Sequence, residues 1–284
     1  GGQGAVAAGG WAEQQAHAGR RDASQGAAAD ASSQRKPAPT EYHVEKQSVL
    51  RIDNLEALPG QELETFADLG VTSEAVLQNV ADMGIASPTQ VQMGAVRGLL
   101  GEDRTDAIIY AHTGSGKTLA YLLPMAERLN PEAGSLQAVI VAPGRELASQ
   151  ISGVCERLLA GTGLRTVMAI GGANVNRQME RMKKVKPHVV VGTPGRLCEL
   201  ALERKKMRLG GVRYVVLDEV DSLLRAPYDQ EVDALLTSMS PIDRRQTVFA
   251  SATGNSAMVK EAAKEYMRLE ALVVGGDEGE GAGE

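Results

Sequence analysis

From Ala107 onward the chain alternates short, continuous apolar runs with longer stretches in which apolar residues recur every three to four positions. The runs lie at 107–110, 138–142, 165–170, 188–192, 214–218, 246–251 and 271–274, and helical patterns begin near Lys117, Glu146, Val175, Arg196, Gln230 and Asn255. The apolar runs lack the period-two alternation of half-solvated strands, so they predict strands covered on both faces. Strand–helix alternation of this kind predicts an α/β fold, a mostly parallel sheet with helices on both faces and right-handed crossovers. Such sheets bind ligands beyond the carboxyl ends of their strands, so residues that do chemistry should follow strands directly. Ahead of the first run, residues 63–100 read as two or three helices broken at Gly70–Val71 and at Ser87–Pro88. Ser73 is the expected N-cap of one, and Pro88 fits the first turn of the next.

Composition sharpens this at the ends. Of the 284 residues 43% are hydrophobic, enough for a sizeable core, but residues 1–48 are dominated by Gly, Ala, Gln and Ser. Such a leader cannot bury enough surface to offset its ordering entropy, and an acidic tail at 275–284 reads the same way. One folded domain is therefore expected over 49–274. The chain opens on Gly rather than Met, which predicts that residues upstream are missing. Arg20, Arg21, Arg35 and Lys36 give the leader a loose likeness to an organelle transit peptide, diluted by Glu13, Asp22 and Asp30. No stretch reaches bilayer-spanning length, so a soluble intracellular protein is expected, with cytoplasm, nucleus and organelle all open. Cys155 and Cys198 sit in apolar-periodic segments and read as core thiols. The net charge of −6 argues against a global field for nucleic acid, so any such site must be a local patch.

One segment carries sharper chemistry. Thr113-Gly114-Ser115-Gly116-Lys117-Thr118 lies between an apolar run and a helical pattern, the strand–turn–helix context of a phosphate-binding loop. Its glycines let backbone N–H groups converge on an anion at a helix N-terminus. Lys117 would reach the β- and γ-phosphates of a nucleoside triphosphate, and the Thr118 hydroxyl would ligate Mg2+. Further on, Asp218-Glu219-Val220-Asp221 closes another apolar run. Carboxylates there are costly unless a cation or hydrogen bonds receive them. Asp218 would hold the metal shell, partly through water, and Glu219 would orient and deprotonate an attacking water.

With these two motifs in place, several others follow in order. Gly84 to Gln92, containing Pro88-Thr89 and Gln92, resembles the Q motif of the DEAD-box helicases of superfamily 2, with Phe66 at its upstream aromatic position. Pro143-Gly144-Arg145-Glu146-Leu147-Ala148 resembles motif Ia of that family, and Gly171-Gly172 its glycine pair. Thr193-Pro194-Gly195-Arg196 is identical to motif Ib, and Ser251-Ala252-Thr253 to motif III. The resemblance spans residues 63–275 and implies an N-terminal RecA-like ATP-binding domain. It further implies that Gln92 reads adenine while Phe66 stacks on it, as their side-chain chemistry allows. Gly144, Arg145, Gly172, Thr193 and Arg196 are implied to grip the backbone of single-stranded RNA without reading its sequence. Ser251 and Thr253 are implied to bond Asp221, coupling nucleotide state to RNA affinity.

The departures are specific. Gly144 stands where the family has Thr, Val220 where it has Ala, and Arg225-Ala226-Pro227-Tyr228 replaces a differently composed turn. Nothing after Thr253 resembles the family's second RecA-like domain, which carries the arginines that touch the γ-phosphate. The expected function is an ATP-dependent RNA helicase or RNP remodeller, this chain being a fragment with weak hydrolysis of its own. The alternative is a truncated ATP- and RNA-binding module that does not unwind. A DNA helicase of the same superfamily is disfavoured by the Pro88-Thr89 and Gln92 pattern with Phe66.

Overall fold

A computed structural model describes residues 51–52, 64–101, 105–252 and 256–275. The expected leader, the tail beyond Gly275 and Thr253 lie outside the described residues. The strands are β1 (Arg51–Ile52), β2 (Asp106–Tyr110), β3 (Ala138–Val141), β4 (Thr166–Ala169), β5 (Val189–Gly192), β6 (Tyr214–Asp218), β7 (Gln246–Ser251) and β8 (Ala271–Val274). The helices are α1 (Glu74–Asp82), α2 (Gln90–Leu100), α3 (Lys117–Arg128), α4 (Arg145–Leu158), α5 (Val175–Val185), α6 (Pro194–Cys198), α7 (Val220–Leu223), α8 (Asp229–Ser238) and α9 (Ala257–Tyr266).

Among the described residues the strands form one sheet in the order β1-β8-β2-β7-β6-β3-β5-β4, every pair parallel. Successive side chains leave a strand on opposite faces, so each central strand feeds two cores. Ala107 and Ile109 of β2, Ala138 and Ile140 of β3, and Val216 of β6 join α1–α4 on one side. Ile108, Val139, Val141, Val215, Leu217 and Phe249 join α6, α8 and α9 on the other. That is why β2, β3, β5, β6 and β7 are buried at every position and show no alternation in sequence.

Two strands depart from that pattern. β4 and β8 alternate half-buried with buried residues, whereas the 165–170 and 271–274 runs predict strands covered on both faces. β4 ends the sheet; Val167 and Ala169 are buried in the second core on the α5 side, and Thr166 and Met168 on the opposite face stay half-buried. Pro88 also differs from its expected place. It precedes Thr89, which is the N-cap of α2, so the proline lies just outside the helix and fixes its approach. Ser73 does cap α1, accepting from the Val76 N–H. Cys155 and Cys198 are both free and buried, as expected of core thiols. Burial pushes the Cys198 thiol up to about 11. Among the described residues no helix is long and apolar enough to cross a membrane.

Candidate functional site

Three strand ends meet at the centre of the sheet. β7 lies between β2 and β6, with Tyr110 paired to Ser251 and Asp218 to Ala250. The glycine loop leaves β2, the acidic segment leaves β6, and Ser251 closes the strand between them. Parallel strands thus deliver all three to one rim.

The loop enters α3 with Gly114 at φ 87° and Gly116 at φ 92°, backbone that side chains with a Cβ adopt only with strain. Space is as limiting as torsion at Gly116, where a Cβ would stand 2.3 Å from the Gln92 Nε2. Two side chains of the α2 N-terminus brace the loop. The Thr89 hydroxyl donates to the Ser115 carbonyl at 2.9 Å, and the Gln92 amide donates to the Gly116 carbonyl at 3.2 Å. Thr89 and Gln92 also close a capping box on each other. The Lys117 ammonium donates to the carbonyls of Ala111 and His112. Burial lowers its proton affinity, and Asp218, Glu219 and Asp221 raise it again, so the lysine lies within the field of all three acids. The Ser115 hydroxyl is buried without a hydrogen-bond partner, a group that a ligand oxygen would satisfy.

Asp218 is only 4% exposed. Its Oδ2 accepts from the Tyr121 phenol at 2.7 Å, and its Oδ1 accepts from the Glu219 N–H at 2.9 Å. Burial holds its carboxyl above the usual range, while the phenol, the N–H and Lys117 pull the other way. Glu219 is exposed and left-handed at φ 52°, a strained conformation for a residue with a side chain. Burial of its carboxyl, then Asp218 and Asp221, raise its proton affinity. The Ser251 hydroxyl donates to Asp221 Oδ1 at 3.1 Å. Val220, the departure from Ala, is fully buried and packs in the second core.

The other half of the rim gathers the ends of β3, β5 and β4. Arg145 starts α4 and is exposed, and its guanidinium lies so close to Gly172 that a Cβ there would be 2.3 Å from Nη1. The Gly171 N–H donates to the Thr193 hydroxyl at 3.4 Å. Gly144 is extended at φ −115°, and nothing lies within 4 Å of where its Cβ would be. These segments line an open depression of about 340 Å3 that also touches Tyr228 and Glu231.

Several expected ligand contacts sit differently in the fold. Arg196 is 9% exposed and spends its guanidinium internally, with Nη1 and Nη2 on the Ala173 carbonyl at 3.1 Å and Nε on Glu199 at 2.9 Å. It orders the loop beside Gly172 rather than presenting a cation. Phe66, 5% exposed, packs in the first core, and its ring is not laid open to a base. Gln92 is 2% exposed, and its amide oxygen receives the Thr89 N–H at 2.9 Å while its nitrogen holds the loop. The sequence places Thr89 in a motif but not as a brace on the glycine loop, and it gives no sign of the role of Tyr121. The Thr-x-x-Gln spacing of a capping box could have found the first, and a phenol inside an apolar helix, which needs a polar partner, the second.

Comparison with known proteins completes the description. Residues 89–262 match the family model for the DEAD/DEAH box helicase. The ATP-dependent rRNA helicase RRP3 of Encephalitozoon cuniculi is 38% identical over 69% of this chain and 47% of its own length. The mitochondrial DEAD-box ATP-dependent RNA helicase 47 of Arabidopsis thaliana is 37% identical over 74% of this chain and 42% of its own. The chain thus spans about half the length of the curated relatives it matches, or somewhat less. Among solved structures, a DEAD box protein from Methanococcus jannaschii superposes with a TM-score of 0.67 at 29% identity, covering 74% of this chain and 55% of that one. Saccharomyces cerevisiae Dbp5, bound to RNA and ADP BeF3, superposes with a TM-score of 0.65 at 30% identity, covering 74% and 51%.

Proposed function

The chain belongs to the DEAD/DEAH box helicase family, and from that premise we propose that it is the ATP-binding half of an RNA-dependent ATPase that remodels RNA. One observation carries the reading. The glycine loop and the acids after β6 share a rim, close enough that Lys117 is held in the field of Asp218, Glu219 and Asp221. A cation of modest proton affinity facing three carboxylates across a glycine turn suits a triphosphate with its counter-ion.

The residues present fit Mg·ATP. Among the described residues no cluster of three or more His, Cys, Asp or Glu is placed to hold a metal ion by itself; in this reading the cation is the counter-ion of the nucleotide. Thr118 and Asp218 would hold it, partly through water, and Mg2+ supplies neutralisation of phosphate charge. Backbone N–H groups of Gly114 to Lys117 cradle the phosphates, with Thr113 and Ser115 beside them. Lys117 leaves its two carbonyl partners for the terminal phosphates. Glu219, exposed and of raised proton affinity, orients water and takes its proton. The Ser251 bond to Asp221 ties the strand between the two motifs to the catalytic acids.

Gln92, freed from its brace, would pair with adenine, and the Phe66 edge would border the base. RNA binding falls to the other half of the rim, through the backbone at Gly144 and Gly172, the Thr193 hydroxyl and the exposed Arg145. Arg196 supports this track from behind. The relatives' additional length would supply a second domain, so this chain by itself is expected to hydrolyse ATP slowly.

The test is fluorescence titration of the 284-residue chain with a labelled ATP analogue and with single-stranded RNA. Lys117→Ala, which removes a charged hydrogen-bond donor worth about 1.5–3 kcal/mol, should weaken nucleotide binding by about 10- to 100-fold. RNA binding in the absence of nucleotide should stay as it was. Unchanged nucleotide affinity in this variant would remove the basis of the reading.

A further inference from the structure

The phenol of Tyr121 lies where nothing in the phosphate-loop reading required one. It sits on α3, fully buried, one turn beyond the loop. Its hydroxyl donates to Asp218 Oδ2 at 2.7 Å. A side chain of the helix that follows the glycine loop therefore holds the carboxylate of the other motif that is assigned above to the cation. The backbone behind it is fixed as well, because the Tyr214 hydroxyl donates to the Tyr121 carbonyl at 2.9 Å. Tyr214 is itself fully buried on β6, the strand that ends in Asp218. Tyr214 thus ties the α3 backbone to β6, while the contact with the Asp218 carboxylate is made by the Tyr121 hydroxyl.

We propose that Tyr121 is a positioning residue for the divalent cation, fixing the direction of the Asp218 carboxylate through its own hydroxyl. This rests on the nucleotide reading and adds to it a residue outside the motifs. A carboxylate with one oxygen on a phenol and the other on a backbone N–H cannot swing, so its remaining lone pairs keep one direction. Supporting groups of this kind around metal ligands carry roughly 10- to 100-fold of metal affinity. A phenylalanine would fill the same core volume and leave Asp218 Oδ2 without its donor.

The experiment measures binding of a labelled ATP analogue to the full chain, in EDTA and across a Mg2+ series. Tyr121→Phe should leave the EDTA affinity as in wild type and raise the Mg2+ concentration for half-maximal enhancement about tenfold. Tyr214→Phe serves as the control for stability alone. It loses a buried hydrogen bond to the α3 backbone but keeps the Tyr121–Asp218 contact, so it should lower Tm without moving the Mg2+ dependence. With Mn2+ in place of Mg2+, the bound-ion electron paramagnetic resonance line shape should change in Tyr121→Phe and not in Tyr214→Phe. An unshifted Mg2+ midpoint in Tyr121→Phe overturns the inference, as does an equal loss of affinity in EDTA. Wild-type protein that binds no nucleotide defeats the functional reading first, so the two failures are told apart.

Discussion

The two halves of the rim treat charge in opposite ways. Around β2, β7 and β6, ionisable groups are drawn together and partly buried, with Lys117 facing Asp218, Glu219 and Asp221. Around β3, β5 and β4, one arginine is consumed by the protein's own acceptors and the other stays in solvent over a bare glycine. The first half is charged, crowded and strained, a surface whose energy falls when a polyanion and its cation arrive. The second is an ordered track whose polar groups are largely backbone. A triphosphate carries concentrated charge and needs concentrated counter-charge, whereas an RNA strand of any sequence needs repeated, modest contacts. On the proposed function, the difference in architecture matches the difference in ligand.

Glycine substitutions break the comparison most sharply. Gly116→Ala places a Cβ at 2.3 Å from Gln92 in left-handed backbone, and it should cost about 1–3 kcal/mol of stability together with most nucleotide affinity. Gly144→Ala enters open space in extended backbone and should change stability by no more than about 0.5 kcal/mol. Chemical denaturation of the pair measures both, and equal losses would mean that the halves are built alike.

The arginines come next. Arg196→Ala abandons a buried carbonyl and Glu199, so a loss of about 1–3 kcal/mol is expected, with RNA affinity following stability only. Arg145→Ala should do the reverse, leaving Tm nearly fixed while weakening RNA binding and flattening its salt dependence. Thermal melts beside RNA titrations at two salt concentrations decide it, and the comparison fails if Arg196→Ala weakens RNA binding without loss of Tm.

The smallest effect expected is a gain. Because burial raises the Asp218 pKa in the fold, the stability this group contributes is present below the ordinary carboxylate value and lost as pH rises through the folded one. Asp218→Asn should therefore raise Tm at neutral pH, with the advantage shrinking toward pH ~4, where the unfolded-state carboxyl also protonates. Melts across that range check the sign. A destabilised Asn variant at neutral pH would mean that the carboxylate, not the site's ligand, stabilises this end of the sheet.

Much of this arrangement was readable from the chain. Buried strands between amphipathic helices announced a parallel sheet, because covering both faces forces continuous apolar runs such as Val189 to Val191. The glycine loop was readable because its spacing is dictated by local backbone geometry. What escaped depends on distant parts of the chain. Whether Arg196 faces solvent or Ala173 turns on how two loops from neighbouring strands meet, and nothing in Thr193 to Arg196 encodes that. Tyr121 lies within an apolar helix, and the contact of its hydroxyl with Asp218 is made across 97 residues of sequence. β4 was read as covered because its composition matches its neighbours, while its exposure is set by its place at the end of the sheet.

A sheet with all its strands running one way has a back as well as a front. The turns that feed β3 and β6, at Gly134 and Gly210, open onto that far side, and a Cβ at either would meet nothing within 4 Å. A cysteine-linked dye or a surface tether fixed there would leave the working face untouched, giving single-molecule measurements a handle the molecule does not feel.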